Sequence, residues 1–439
     1  MNAHQTKAGQ LDPSFNGGNP LYLDLPGFWQ DQRGMAAGRD GLIYIAGNKA
    51  PYFGGPADFY IGALDAQGRW SPGFGSDGKL EGSFFDTQEP GVLVSNFTDA
   101  LHYEQGLVAD ADRLFLLGRY IYRKDNGPQS VYPAVACFRI DGSLDLTFGT
   151  EGICIFAGLE GNSVLSFALP TLVDTTDSNG EAREAHSGSP MSWGIHDRRF
   201  YIVGTALGVP LTLLIVIDFS GAIDWNFGVN GVQKIGREPG FLAYDIFMGA
   251  DGIYLSGISG AYPEDLTVAT SARLDFNGAL DTSYGENGFQ DFGWESYKTY
   301  TVCIAPLATD CLVTAGFVRL TGSDAAILLS HDLDGNVNPD FNGGRPVFIG
   351  DEDGHWRSLA VEADAVIAIG RVEQAGILVA RFLHDGQLDT SFADGAGWRV
   401  LTEVSPYAFG RHMIVRSDRS IVIWGGDTGG SVVTALIGK

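Results

Sequence analysis

Positive charge is scarce in this chain: 28 Lys and Arg stand against 53 Asp and Glu, a formal net charge of −25. Such a field repels a phosphate backbone and argues against a nucleic-acid partner. The acidic residues are scattered among Gly-rich turns instead of forming a block, as solvated connections do. Cysteine is rare as well. Cys137, Cys154, Cys303 and Cys311 form no Cys-x-x-Cys pair and have no His at zinc-finger spacing, so reduced, mostly buried thiols are expected. Two disulfides remain arithmetically open, but a core of this size does not need them. Long apolar runs are missing too: the longest, 211–217, is interrupted by Thr212 and falls far short of the roughly 20 residues of a membrane span. Membrane insertion is therefore not expected. Residues 1–10 are polar and lack the apolar stretch of a secretory signal. The default expectation is a cytoplasmic protein, with export by a route that uses no signal as the alternative.

Helical periodicity is also absent, and Gly supplies 61 of 439 residues, which together indicate an all-β chain. One short phrase recurs seven times. Its cleanest copy is Leu388-Asp389-Thr390-Ser391-Phe392, and its aromatic falls at Phe15, Phe74, Phe148, Phe227, Tyr284, Phe341 and Phe392. Periods of this size mark an architecture in which single units cannot bury their apolar faces and must stack on neighbours. One domain is expected over 11–439, after an N-terminal segment 1–10, with approximate units 11–69, 70–143, 144–222, 223–279, 280–336, 337–387 and 388–439.

A second phrase recurs inside each unit: an Asp, a turn residue, four or five mostly apolar residues, then Gly, as in 40–47, 251–257 and 364–370. The apolar stretch is too short for a buried helix and lacks polar alternation, which suits a strand covered on both faces by like sheets. The closing Gly implies a positive φ or a close backbone approach. Three further strands per unit complete a four-stranded antiparallel blade, and seven blades make a β-propeller. The Leu-Asp-x-Ser-Phe phrase follows turns such as Asp141-Gly142 and Asp385-Gly386. It is expected to cross from the outer edge of one blade to the inner strand of the next, with its Leu and aromatic wedged between blades. Because the last unit ends on its own fourth strand, the first and last blades are expected to meet by packing without sharing strands.

The phrases Leu144-Asp145-Leu146-Thr147-Phe148-Gly149, Leu280-Asp281-Thr282-Ser283-Tyr284-Gly285 and Leu388-Asp389-Thr390-Ser391-Phe392, each after a Gly turn, resemble the bacterial delta-60 repeat family over essentially the whole chain. Copies two and six depart from the pattern, reading Trp70-Ser71-Pro72-Gly73-Phe74 and Val337-Asn338-Pro339-Asp340-Phe341. The resemblance implies a repeat and carries no catalytic role.

Function is expected where connections vary. Loops preceding and following the recurrent Asp-to-Gly strand fall on opposite faces, and only one face varies in length; its longest insertion spans about 158–193. Aromatics gather toward that side: Trp29, Trp193, Trp294 and Trp356, with Phe241 and Tyr407 in corresponding regions. Such rings stack on sugars or anchor a protein partner, although repetition for inter-blade packing is the commoner cause. Asp332 and Asp334 resemble part of a calcium loop, but the order departs from an EF-hand and an ordinary turn explains them better. Strands assigned to the channel wall offer Asp24, Glu81, Lys234, Asp291 and Arg399, which nothing orders into an acid, base or nucleophile set. No nucleophile elbow, His-Glu-x-x-His site or phosphate loop is present, and the eight His residues are dispersed. The expectation is a monomeric, non-enzymatic module without cofactor that binds a protein or glycan. A hydrolase or lyase centred on the channel and a secreted effector or toxin component are the alternatives.

Overall fold

The computed structural model describes residues 7–23, 29–38, 40–50, 56–86, 89–105, 112–124, 129–156, 167–168, 192–206, 211–260, 267–295, 297–349, 353–427 and 430–439. Its strands form seven separate antiparallel sheets, and the described residues include no α-helix. The first strands of the sheets are Trp29–Ala37, Val92–Gln105, Ser192–His196 with Phe167–Ala168, Phe241–Met248, Lys298–Pro306, Gly354–Val361 and Phe409–Val415 (blades I to VII). These strands lie beside their counterparts in neighbouring sheets and so ring a common axis. The strands at the opposite edge, Lys79–Gly82, Ile153–Ile155, Val232–Ile235, Phe289–Phe292, Val347–Phe348, Trp398–Leu401 and Leu21–Leu23, form the perimeter. At two to four residues they are short, which limits the open hydrogen-bonding edge each blade presents to other chains. The fold is a seven-bladed β-propeller. No helix of the described residues is long and apolar enough to cross a membrane.

The core is itself a ring. Each pair of neighbouring sheets encloses an apolar layer; between blades V and VI, for instance, Val313, Ala315, Leu328, Phe341, Trp356, Val366 and Phe382 pack together. Both faces of the middle strands are therefore covered, which is why they read as continuous apolar runs.

Two recurrent devices give the sequence phrases their physical meaning. The first locks adjacent blades. Gly9, Gly68, Gly142, Gly221, Gly278, Gly335 and Gly386 each hold a positive φ at the turn after a third strand, and each lies against the phrase aromatic of the preceding blade. A Cβ at any of these positions would meet that ring at 2.6–3.4 Å. The phrase Asp shapes the adjoining turn: Asp145 and Asp389 accept from both the backbone N–H and the hydroxyl of the residue two positions on.

The second device is a β-bulge in the inner strand, present in six blades: between Gln32 and Gly34, Thr98 and Ala100, Ala243 and Asp245, Thr301 and Cys303, Trp356 and Ser358, and Gly410 and His412. Opposite it stands the closing Gly of the Asp-to-Gly phrase, and at Gly257, Gly316, Gly370 and Gly425 a Cβ would fall 1.8–2.0 Å from an inner-strand carbonyl oxygen. The glycine is there for close approach, since the bulge pushes backbone toward it.

Two expectations are corrected. The Leu-Asp-x-Ser-Phe phrase does not lead to the next blade's inner strand; it joins the third strand to the outer strand of its own blade, as between Asp58–Leu64 and Lys79–Gly82, although its aromatic does reach the neighbouring blade. Closure consequently shares strands. Leu21–Leu23 pairs with Gly430–Leu436 as the outer strand of blade VII, preceded by bonds from Gly9 N to Ile437 O (2.7 Å), Ile437 N to Gln10 O (2.9 Å) and Asp12 N to Ala435 O (2.9 Å).

Candidate functional site

The turns joining inner to second strands and the phrase-bearing connections share one face; the other face carries the connections from second to third strands and from one blade to the next. The six expected aromatics are placed very differently around the latter. Phe241 and Trp356 are fully buried between blades, edge-on to Phe289 and Phe382. Trp193 is half-buried and stacked on Phe200 at 4.9 Å. Trp294, in the connection from blade IV to V, is half-buried against Phe348. Tyr407, in the connection from blade VI to VII, is 68% exposed. Trp29 opens the inner strand of blade I, and its side chain lies outside the described residues. Packing thus accounts for Phe241, Trp356 and Trp193, while Tyr407 and the open side of Trp294 remain accessible.

The expected channel residues sit on the perimeter. Glu81 pairs with Lys49 on the outside of blade I, Lys234 is exposed on the outer strand of blade III, and Asp291 on that of blade IV receives Thr270 Oγ1 (2.7 Å) and Arg237. Arg399 donates to Gly9 O (2.9 Å) and pairs with Glu403 (2.6 Å). Asp24 lies outside the described residues. Their displacement from the axis has one cause: the strand after each phrase is the outer strand of its blade.

The group that does stand at the axis centres on Asp245, beside the bulge of blade IV. Its Oδ1 accepts from Ser192 Oγ of blade III (2.7 Å) and its own strand's Ile246 N (2.9 Å), and its Oδ2 from Ile304 N of blade V (2.9 Å). Burial raises its carboxyl above the ordinary range, against the opposing effect of these donors. With both oxygens engaged, Asp245 straps three inner strands together. The thiol of Cys303 is driven well up by burial and then by the Asp245 charge, so it is a poor nucleophile. All four cysteines are free; burial pushes Cys137 and Cys154 up to about 12 and Cys311 up to about 11.

Short described stretches within and at the end of the long insertion also pair in blade III. Ala168 pairs with Thr205 and Ser192 with Val203, so the described inner-edge pairing of blade III is interrupted opposite Gly204, where other blades place their bulge. Residues 157–166 and 169–191 lie outside the described residues.

A second cluster lies on the variable face between blades V and VI. Tyr300, Phe317 and His355 form a stack with centroid separations of 4.5 and 4.3 Å. Asp324, which opens the third strand of blade V, receives His355 Nε2 (3.0 Å) and both Arg319 nitrogens (3.2 and 3.3 Å), and its own N–H donates to Asp353 (2.9 Å). Burial lowers His355 to about 4, leaving the ring neutral. Asp324, Asp353 and His355 are close enough to hold a cation. The donor set does not fit one: Asp324 is forked by a guanidinium and the facing His355 nitrogen is spent on it. The calcium candidates fare similarly, since Asp332 accepts from Asp334 N, Asn336 N and Asn336 Nδ2 within its own turn, while Asp334 is exposed beside Arg273 at 3.9 Å.

Neither Asp245 nor the Tyr300–Phe317–His355 stack was singled out in the sequence. A signal for the former existed, because in six of the seven blades the Asp-to-Gly phrase marks a bulge on the strand preceding it.

No protein-family model and no curated protein matches the chain. Its fold is similar to that of solved structures at very low identity. Drosophila Semaphorin 2a aligns with a TM-score of 0.50 at 8% identity, covering 99% of this chain and 76% of that one. The Dos1 propeller gives 0.45 at 10% identity over 96% and 95% of the two chains, and Sqt1 from Chaetomium thermophilum 0.44 at 10% over 93% and 95%. These likenesses bear on the fold alone.

Proposed function

We propose that this chain is a non-catalytic binding module of the delta-60 repeat type, engaging a protein or glycan through its variable-connection face. The observation that supports this is an asymmetry. One face repeats the same glycine-on-aromatic lock at all seven blade junctions, whereas the opposite face presents connections of unequal length with Tyr407 exposed and Trp294 half-open. A rigid ring that displays variable loops and accessible rings is built for recognition. At the axis, Asp245 is occupied as a strap, and no step of proton transfer or nucleophilic attack is assigned to it.

The test is a glycan array together with affinity capture, using the wild type, Tyr407→Ala, and Val229→Ala on the opposite face, where Val229 is 77% exposed. A glycan or protein retained by wild type and Val229→Ala but lost by Tyr407→Ala is the expected result. Retention by Tyr407→Ala with loss by Val229→Ala would move the binding face.

A further inference from the structure

We propose that the cleft between blades II and III, on the tight-turn face, binds a small oxyanion ligand, a phosphate monoester or a polycarboxylate, through Arg139, Arg198 and Arg199. The cleft has a volume of about 670 Å³, ample for a metabolite-sized molecule. In a chain of net charge −25 its lining holds four arginines, Arg113 included, against Asp145, Asp197 and Asp218.

Two of the three carboxylates are already engaged, while exposed Asp197 lies 3.6 Å from His196 Nε2. Asp145 accepts from Thr147 N (3.2 Å) and Thr147 Oγ1 (2.7 Å), and Asp218 from Ser220 N (2.8 Å), Ser220 Oγ (2.6 Å) and Ala222 N (3.0 Å). Arg113 is committed too, donating to Phe219 O at 3.0 Å. The other three guanidiniums are held less closely, and that of Arg198 is not held at all among the described residues. Arg139 comes no nearer than 3.8 Å to Asp145, Arg199 donates to Asp224 at 3.4 Å, and the Arg198 side chain has no hydrogen bond or ion pair among the described residues, lying over the Phe219 ring at 5.3 Å.

The repeat supplies its own control. Arg419 occupies the matching left-handed turn position in blade VII (φ 67°, against 60° at Arg198), and there it is held by Glu362 and Asp364 of blade VI. Arg273 and Arg381, on the third strands of blades IV and VI, are likewise paired, with Asp251 at 2.7 Å and Asp389 at 3.2 Å. At the junction of blades II and III the Arg198 guanidinium has no carboxylate partner among the described residues, which exclude 106–111, the stretch of blade II that matches the Glu362 region of blade VI. A planar fork with unspent donors takes a carboxylate or phosphate in two-point contact.

The experiment is titration calorimetry at low ionic strength with citrate and, separately, phenyl phosphate, on the wild type, the double variant Arg139→Gln/Arg198→Gln, and Arg69→Gln as a distant control. Both cleft side chains are solvent-facing, so the double variant should fold, which circular dichroism checks. The expected result is saturable binding of at least one probe, weakened about tenfold or more in the double variant and unchanged in Arg69→Gln. Binding of citrate alone or phenyl phosphate alone identifies the oxyanion class. No saturable heat from either probe at millimolar concentration, or equal affinity in the double variant, overturns the proposal.

Discussion

A methyl group on Gly370 would stand 1.8 Å from the carbonyl oxygen of His355, so the inner strand of blade VI would have to move to accept it. Gly370→Ala is accordingly expected to destabilise the protein by about 3 kcal/mol, the upper end of an ordinary overpacking cost. Gly73→Ala, with open space and no positive φ, should stay within about 0.5 kcal/mol, and denaturant unfolding of the pair checks the contrast. Trp356→Ala should cost about 3–5 kcal/mol because the ring is fully buried, whereas Tyr407→Ala should leave stability unchanged. Two buried histidines give the protein a pH dependence. Burial lowers His331 and His355 to about 4 from an ordinary 6.5. As pH falls through 6.5 the unfolded chain takes up protons that the folded one refuses. Stability is therefore complete above pH 6.5 and erodes down to about pH 4, by up to about 1.4 kcal/mol per pH unit for each histidine. Unfolding curves at pH 7.5, 6 and 5 should show this slope, and His355→Gln should reduce it. A flat profile from pH 7.5 to 5 would show that these rings are not held neutral by burial.

The element whose role departs most from its position in the chain is Leu21–Leu23, which closes blade VII from the opposite terminus. Deleting residues 1–23 leaves the Gly430–Leu436 strand with a bare edge and removes Phe15 from the junction with blade I. The expected outcome is a lower melting temperature with concentration-dependent aggregation, measured by scanning calorimetry and light scattering; unchanged melting would mean that this strand does not clasp the ring. Much of the architecture was legible. The seven aromatics and seven Asp-to-Gly phrases counted the blades, because repeated contacts demand them: a ring under a turn at every junction, and a glycine under a bulge in six blades. Blade membership was not legible, since a strand such as Phe289–Phe292 has the same pattern whether it pairs backward with Val268–Leu274, as it does, or forward. That one ambiguity moved Glu81, Lys234, Asp291 and Arg399 from the perimeter to the axis in the sequence reading. The aromatics were half legible, because a ring that packs and a ring that stands in solvent look alike in sequence until burial separates Trp356 from Tyr407.

At the scale of the whole molecule, the ring is divided into a locked face and a variable one. The lock uses the same atoms at every junction, and the open face carries the connections that differ from blade to blade. If the variable face binds as proposed, a rigid ring should not deform, and protection on binding should be confined to the surface touched. The most direct measurement is hydrogen–deuterium exchange of the protein alone and with the captured partner or glycan. Protection concentrated in the connections 293–297 and 402–408, with the turns at 65–68, 275–278 and 385–387 unchanged, is the predicted result. Protection confined to those turns, or to the axial strands around Asp245, would contradict a variable-face binding module.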